Sequence, residues 1–286
     1  MIVLTIDQRG STYADDRVPE VLAELADLTR DRDGVVVRFE RTVGDEVQGI
    51  LAPGRAGAQL AVDLTLHLLR DQGWSVGIGV GQVEGPLPAV SREARGFAFY
   101  RARDAVERAK TRGRGTSVAV EGPPPGAADL VTAEAKTLDA QTLDASTLDA
   151  QTPRSGTVEP GEASSESSRP DLAAEVEALL RLLAAIRARR TPQGWEVADT
   201  LASLADKPGR QRIVAQSLHV SEQAVSQRVR AALWQEEEAV RPVVVRLLAE
   251  LSGSVGLEPA EPAEPAEVAQ AAEPAVRSTT KKRATS

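Results

Sequence analysis

The chain has 286 residues, with 34 Lys or Arg against 42 Asp or Glu and a net charge of -8; this length suggests about two domains, and the acidic balance excludes a wrapper held on nucleic acid by bulk charge. Cysteine is absent and histidine is limited to His67 and His219, which excludes disulfides, thiol nucleophiles, cysteine zinc sites and a three-histidine metal centre. The opening Met1-Ile2-Val3-Leu4-Thr5-Ile6-Asp7 lacks a basic n-region, and no apolar run approaches the ~20 residues that cross a bilayer, so a soluble cytoplasmic protein is expected.

In the first block, residues 1–121, Ile2, Leu4 and Ile6 alternate as a strand ending at Asp7. Val18, Val21, Leu22, Leu25 and Leu28 then repeat at helical spacing. Val35-Val36-Val37-Arg38-Phe39 and the segment from Val47 to Leu51 flank a Gly44-Asp45 turn and read as a hairpin. Leu60, Leu64, His67 and Leu68 mark a second helix, with His67 on its apolar stripe. In Trp74-Ser75-Val76-Gly77-Ile78-Gly79-Val80-Gly81, one strand face is apolar and the other is serine and glycine, which predicts close approach of a backbone or a ligand. A third helix carries Phe99, Ala102, Val106 and Ala109, and Ser117-Val118-Ala119-Val120 is a last strand. The order β-α-β-β-α-β-α-β contains a split βαβ unit, as in ferredoxin-like folds.

Residues 122–168 turn to Pro, Ala, Ser, Thr and acid and hold the short repeat Thr137-Leu138-Asp139-Ala140-Gln141, Thr142-Leu143-Asp144-Ala145-Ser146, Thr147-Leu148-Asp149-Ala150-Gln151. One Leu in five buries too little surface to offset chain entropy, so a disordered linker is expected. A coil of roughly 48 residues reaches about 40 Å, which predicts no rigid coupling between the blocks it joins. Residues 254–286, rich in Glu, Pro and Ala and ending in Lys281-Lys282-Arg283, read as a disordered tail.

The block 169–253 is helical. Leu172, Val176, Leu179, Leu180, Leu183 and Ile186 form an amphipathic stripe, and Thr191-Pro192 is a cap and first-position pair for the next helix. A short helix with Ile213, Val214 and Ala215 meets the turn His219-Val220-Ser221, where Ser221 caps the following helix. Val225, Val229 and Ala232 then face inward, while Gln223, Gln227 and Arg230 face out, with Ser226 on the flank. Gln pairs with adenine and Arg with guanine or phosphate, and Lys207, Arg210, Arg212, Arg228 and Arg230 make this stretch locally basic. Arg210, Arg212, Ser221, Gln223, Ser226, Gln227, Arg228 and Arg230 are therefore the candidate contacts to double-stranded DNA. The structural alternative is a plain helical bundle. Trp234 is read as the end of the recognition helix, and Val240, Val244, Leu247, Leu248 and Leu251 as a further helix offering the seam of a homodimer.

In the first block, Asp7 at a strand end and Asp45 at the hairpin tip are expected to converge at one end of the sheet. Two carboxylates suit Mg2+, which takes one or two of them plus water, and Gly10 before a helix start lets a backbone approach phosphates. The same acids also serve ordinary turns.

The ordered pieces Asp7-Gln8-Arg9-Gly10-Ser11, Val43-Gly44-Asp45-Glu46-Val47-Gln48-Gly49, Gly77-Ile78-Gly79-Val80-Gly81 and Gly96-Phe97-Ala98-Phe99-Tyr100-Arg101-Ala102-Arg103-Asp104-Ala105 resemble the SatD family and, more distantly, class III nucleotide cyclases and palm-like domains. The resemblance covers nearly all of residues 1–121. It implies an α+β fold with an N-terminal ferredoxin- or palm-like, cyclase-like domain, followed by the linker and an all-α helix-turn-helix domain, a module that SatD-family proteins often carry. It places metals on Asp7 and Asp45 and a nucleoside triphosphate with Mg2+ near Gln8, Arg9, Gly10, Ser11, Gly44 and Tyr100. The Asn and Arg with which cyclases stabilise the reacting phosphates match Tyr100 and Asp104 here, and an acid in place of the Arg speaks against cyclase turnover. The expected function is a cytoplasmic DNA-binding transcriptional regulator sensing a nucleotide or partner. The alternative is a Mg-dependent nucleotide-binding or nucleotidyl-transfer enzyme with an accessory helix-turn-helix.

Overall fold

The computed structural model describes residues 1–11, 13–87, 90–113, 116–124, 171–204 and 207–253. The repeat at 137–151 and the tail at 254–286 lie outside them. Among the described residues the architecture is mixed α/β, built on one five-stranded sheet and eight α-helices. The strands are β1 (Ile2–Gln8), β2 (Val35–Arg41), β3 (Glu46–Leu51), β4 (Trp74–Val80) and β5 (Val118–Glu121). Helix α1 (Val18–Thr29) follows β1, α2 (Arg55–Leu68) follows β3 and α3 (Phe97–Lys110) follows β4. The sheet order is β2-β3-β1-β4-β5; β1 is antiparallel to β3 and β4, and β5 is parallel to β4.

β1 is central and buried on both faces: Ile2, Leu4 and Ile6 enter one core cluster and Val3 another, while the buried Thr5 hydroxyl accepts from Gln48 Nε2 at 3.0 Å. In register, Asp7 stands opposite Glu46 on one side and Ser75 on the other. The alternation in β4 separates the two layers. Trp74, Val76, Ile78 and Val80 join the core shared with α1 and α2. Gly77 and Gly79 face α3, whose buried residues, Ala98, Ala102, Ala105, Val106 and Ala109, are all small. A Cβ on Gly77 would lie 2.3 Å from Val106 N and 2.4 Å from Ala102 O. The glycines therefore serve a close-packed helix backbone and leave no room there for a ligand.

The remaining helices are α4 (Leu172–Ala188), α5 (Pro192–Ser203), α6 (Arg210–Ser217), α7 (Glu222–Ala231) and α8 (Trp234–Gly253). The expected freedom between blocks is not what the described residues show. Val176, Leu180 and Leu183 of α4 and Val244, Leu248 and Leu251 of α8 belong to the same core as the sheet. The reason lies in α2, which buries residues nearly all round, including Ala58, Leu60, Ala61, Val62, Leu64 and Leu66. Such a helix needs cover on its outer side as well. The apolar stripe of α8, expected as a dimer seam, is thereby used within the chain. Trp234 opens α8 instead of ending the preceding helix, and Leu233, at φ +50, makes the break.

Ion pairs, buried at Glu237 and partly buried at Glu177 and Asp63, fasten these helices. Glu177 of α4 accepts from Val120 N at 2.9 Å, Arg108 at 2.9 Å and Arg112 at 2.6 Å. Glu237 of α8 pairs with Arg187 at 2.6 Å and with the fully buried Arg190, whose Nε donates to Ala232 O at 3.0 Å. Asp63 of α2 pairs with Arg241 of α8. A separate cluster of Val197, Ala198, Leu201, Val214, Ala215, Val225, Val229 and Trp234 holds α5, α6 and α7 together. No helix among the described residues is long and apolar enough to cross a membrane.

Candidate functional site

The end of the sheet where β1 finishes and β4 and β5 begin carries a cleft of about 620 Å3, lined by Asp7, Gln8, Arg9, Gly10, Ser11, Asp45, Asp71, Gln72, Gly73, Ser75 and Lys110. Its floor follows from the strand register, and its rim from the two loops that leave β1 and join β2 to β3. Gln8 is buried and fixes the first loop: its Nε2 donates to Asp15 O at 2.7 Å and its Oε1 accepts from Arg17 N at 2.8 Å. Arg41 reaches Asp16 at 2.5 Å and ties that loop to the hairpin. Gly10 and Gly44 take positive φ, +74 and +61, which turns a glycine permits without strain.

Asp7 and Asp45 do converge here. Burial pushes the Asp7 carboxyl above its ordinary value; Lys110 pulls it back, and the charges of Asp45 and Glu107 push it up again. The Lys110 ammonium lies 2.7 Å from Asp7 Oδ2 and 2.8 Å from Glu107 Oε1. Arg9 lies over the strand starts: its Nη1 donates to Ser117 Oγ at 2.7 Å and Ser75 Oγ at 3.4 Å, and its backbone N–H to Gly73 O at 2.9 Å. Asp71 is engaged by Arg17 and accepts from Gly73 N at 2.8 Å. Among the described residues, no group of three or more His, Asp or Glu could hold a metal ion. Two carboxylates, water and a ligand's own oxygens are nevertheless a set that Mg2+ accepts.

Of the residues expected from sequence, Asp7, Asp45, Gln8, Arg9, Gly10 and Ser11 line this cleft together, and Gly44 adjoins it through Asp45. Tyr100 is not brought there. It is exposed on the first turn of α3, ten residues and so about 15 Å along the axis from Lys110. Asp104 is also exposed, between the two. Lys110 and Ser117 are not singled out from sequence as site residues, and Ser75 enters only as part of the small-residue face of β4. Their only trace as site residues is positional, since the residues that begin β4 and β5 and end α3 must share one end of the sheet. His67 is half-buried on α2 and its Nε2 lies 3.0 Å from Glu24 Oε2.

The second candidate surface is on α7. Gly209 and His219, both at positive φ, bracket α6; Val220 N donates to Ala215 O at 3.0 Å and closes the turn. The Ser221 Oγ accepts from Ala224 N at 3.1 Å and caps α7. Val225, Val229 and Ala232 are buried, whereas Gln223, Gln227 and Arg230 are exposed on the opposite face, uncovered by the sheet or the long helices. Arg212 is exposed and Arg210 half-buried, in a groove of about 540 Å3 beside Lys207. Four candidates are engaged locally: Ser221 in its cap, Ser226 with Gln211 at 3.0 Å, Arg228 with Glu196 at 3.3 Å, and Arg230, whose Nε donates to Ser226 O at 3.3 Å.

Comparison of the chain with protein-family models, curated proteins and solved structures gave no match.

Proposed function

We propose that the chain is a DNA-binding transcriptional regulator of the cytoplasm whose sheet domain senses a nucleotide. The observation that carries this reading is the exposed row of Gln223, Gln227 and Arg230 on a capped helix whose other face is packed. Helix α6, the turn at His219 and α7 match a helix-turn-helix, which lays its second helix in the major groove. The half of α7 that carries base-reading side chains is exposed, while Arg210, Arg212 and Lys207 flank it to meet phosphates.

The strand order supports a ferredoxin- or palm-like fold of the kind the SatD and cyclase resemblance implies, with Mg2+ and a nucleoside triphosphate in the cleft of Asp7 and Asp45. Tyr13, 96% exposed and bonded through its N–H to Gly10 O, is better placed than Tyr100 to stack on a base. A homodimer on paired half-sites remains part of this reading, with its contact on a surface other than the buried stripe of α8.

The test is selection of genomic duplex fragments by the full chain, followed by titration of the enriched sequence. Gln223→Ala with Arg230→Ala should weaken selective binding by about 30-fold or more, from roughly 1–3 kcal/mol per base contact. Unchanged selectivity rejects the assignment of α7.

A second reading, a Mg-dependent nucleotide enzyme, is favoured by the company that Asp7 and Asp45 keep with Arg9 and Lys110. Turnover of ATP or GTP that Asp45→Asn abolishes would establish it.

A further inference from the structure

The two cationic side chains of the cleft use their charge differently. Lys110 is neutralised by Asp7 and Glu107. Arg9 makes no ion pair among the described residues; its Nη1 rests on two serine hydroxyls, Ser117 and Ser75, both fully buried. A guanidinium carries five donors, so a neutral cradle that engages one nitrogen fixes the group in place without cancelling its charge. A fixed, uncompensated Arg at the floor of an open polar cleft is a receptor for an oxyanion, which it meets with two parallel N–H bonds. Of the three acids that line the cleft, Asp7 already has Lys110 on it and Asp71 has Arg17, so that among the described residues Asp45 is the one without an ion pair and able to bring a divalent ion to the ligand.

We propose that Arg9 is the receptor for a phosphate chain and that the Lys110 ammonium fills, on Asp7, the place of a divalent ion, so that the cleft takes a polyphosphate with no more than one metal. This rests on the nucleotide-cleft reading above and goes beyond it in naming the anion's receptor and the ion count. The phosphate chain lies across the β1, β4 and β5 ends, between Arg9 and Asp45. Its charge is met on one side by the guanidinium and on the other by a single hydrated ion.

The experiment uses the full chain. Inorganic tripolyphosphate and ATP are titrated calorimetrically in excess chelator and with Mn2+, and bound Mn2+ is counted by electron paramagnetic resonance. Tripolyphosphate should bind the wild type in chelator, and Arg9→Gln should weaken it about 10- to 100-fold, the worth of a charge-assisted pair. Arg9→Lys should lose less, which separates lost charge from a damaged fold. The wild type should take one Mn2+ with ATP, and Lys110→Met two. Tripolyphosphate binding that needs Mn2+, an Arg9→Gln variant that binds as the wild type does, or two Mn2+ in the wild type overturns the proposal while leaving a nucleotide cleft standing. Absence of ATP binding under both conditions overturns the cleft reading as well.

Discussion

Gly77→Ala tests the packing that carries Lys110 to the cleft. The added methyl would stand 2.3 Å from Val106 N, 2.4 Å from Ala102 O and 2.8 Å from Val106 Cα. All three atoms are backbone, so no side chain can swing away. Restoring ordinary contact requires α3 to retreat by about 1 Å, and a core at crystal-like density resists this. Overpacking of this kind costs about 1–3 kcal/mol, and the rigid neighbours put this site at the upper end. Alanine also restricts the unfolded chain, which returns about 0.4–1 kcal/mol, so the clash still dominates. With a urea m-value of about 2 kcal/mol/M, a net loss of about 2 kcal/mol lowers the unfolding midpoint by about 1 M. Trp74 in β4 allows the transition to be followed by fluorescence. Because Val106 is one turn before Lys110, the retreat should also lengthen the Lys110–Asp7 pair and change metal binding. Gly113→Ala, where a Cβ meets nothing within 4 Å, is the control and should stay within about 0.5 kcal/mol of wild type. A midpoint shift for Gly77→Ala no larger than that of Gly113→Ala would refute the argument that α3 and β4 touch backbone to backbone.

Two further outcomes follow from the buried charges. Glu237→Ala leaves Arg190 and Arg187 without their shared acid and should cost about 3–5 kcal/mol, with hydrogen exchange rising first in α5, α6 and α7; unchanged protection there would show that these helices do not depend on this joint. For Glu177, burial pushes the carboxyl up, but Val120 N–H, Arg112 and Arg108 together hold it below its ordinary value of 4.5. A depressed acid stabilises the fold fully above its unfolded value and loses that contribution as pH falls through the folded one. The stability gap between wild type and Glu177→Gln should therefore be constant from pH 7 to about 5 and shrink below 4.5; a gap that stays level to pH 3 would contradict the role given to these three donors.

Local patterns in the chain determined a good deal. The alternation of Ile2, Leu4 and Ile6, the turn at Gly44-Asp45 and the Ser221 cap each rest on interactions within a few residues, so their elements and the convergence of Asp7 with Asp45 were legible from sequence. The outward face of α7 was legible for the same reason, because helical periodicity alone separates Gln223, Gln227 and Arg230 from Val225 and Val229. Tertiary structure decided which surface each amphipathic helix covers. An apolar stripe such as that of α8 states that it must be buried but not against what, and the all-round burial of α2 settled this in favour of the chain's own core. It also decided the company of the acids. Lys110 is 103 positions from Asp7 and Ser117 is 108 from Arg9, and only the parallel crossover from β4 through α3 to β5 brings such distant residues to one end of the sheet.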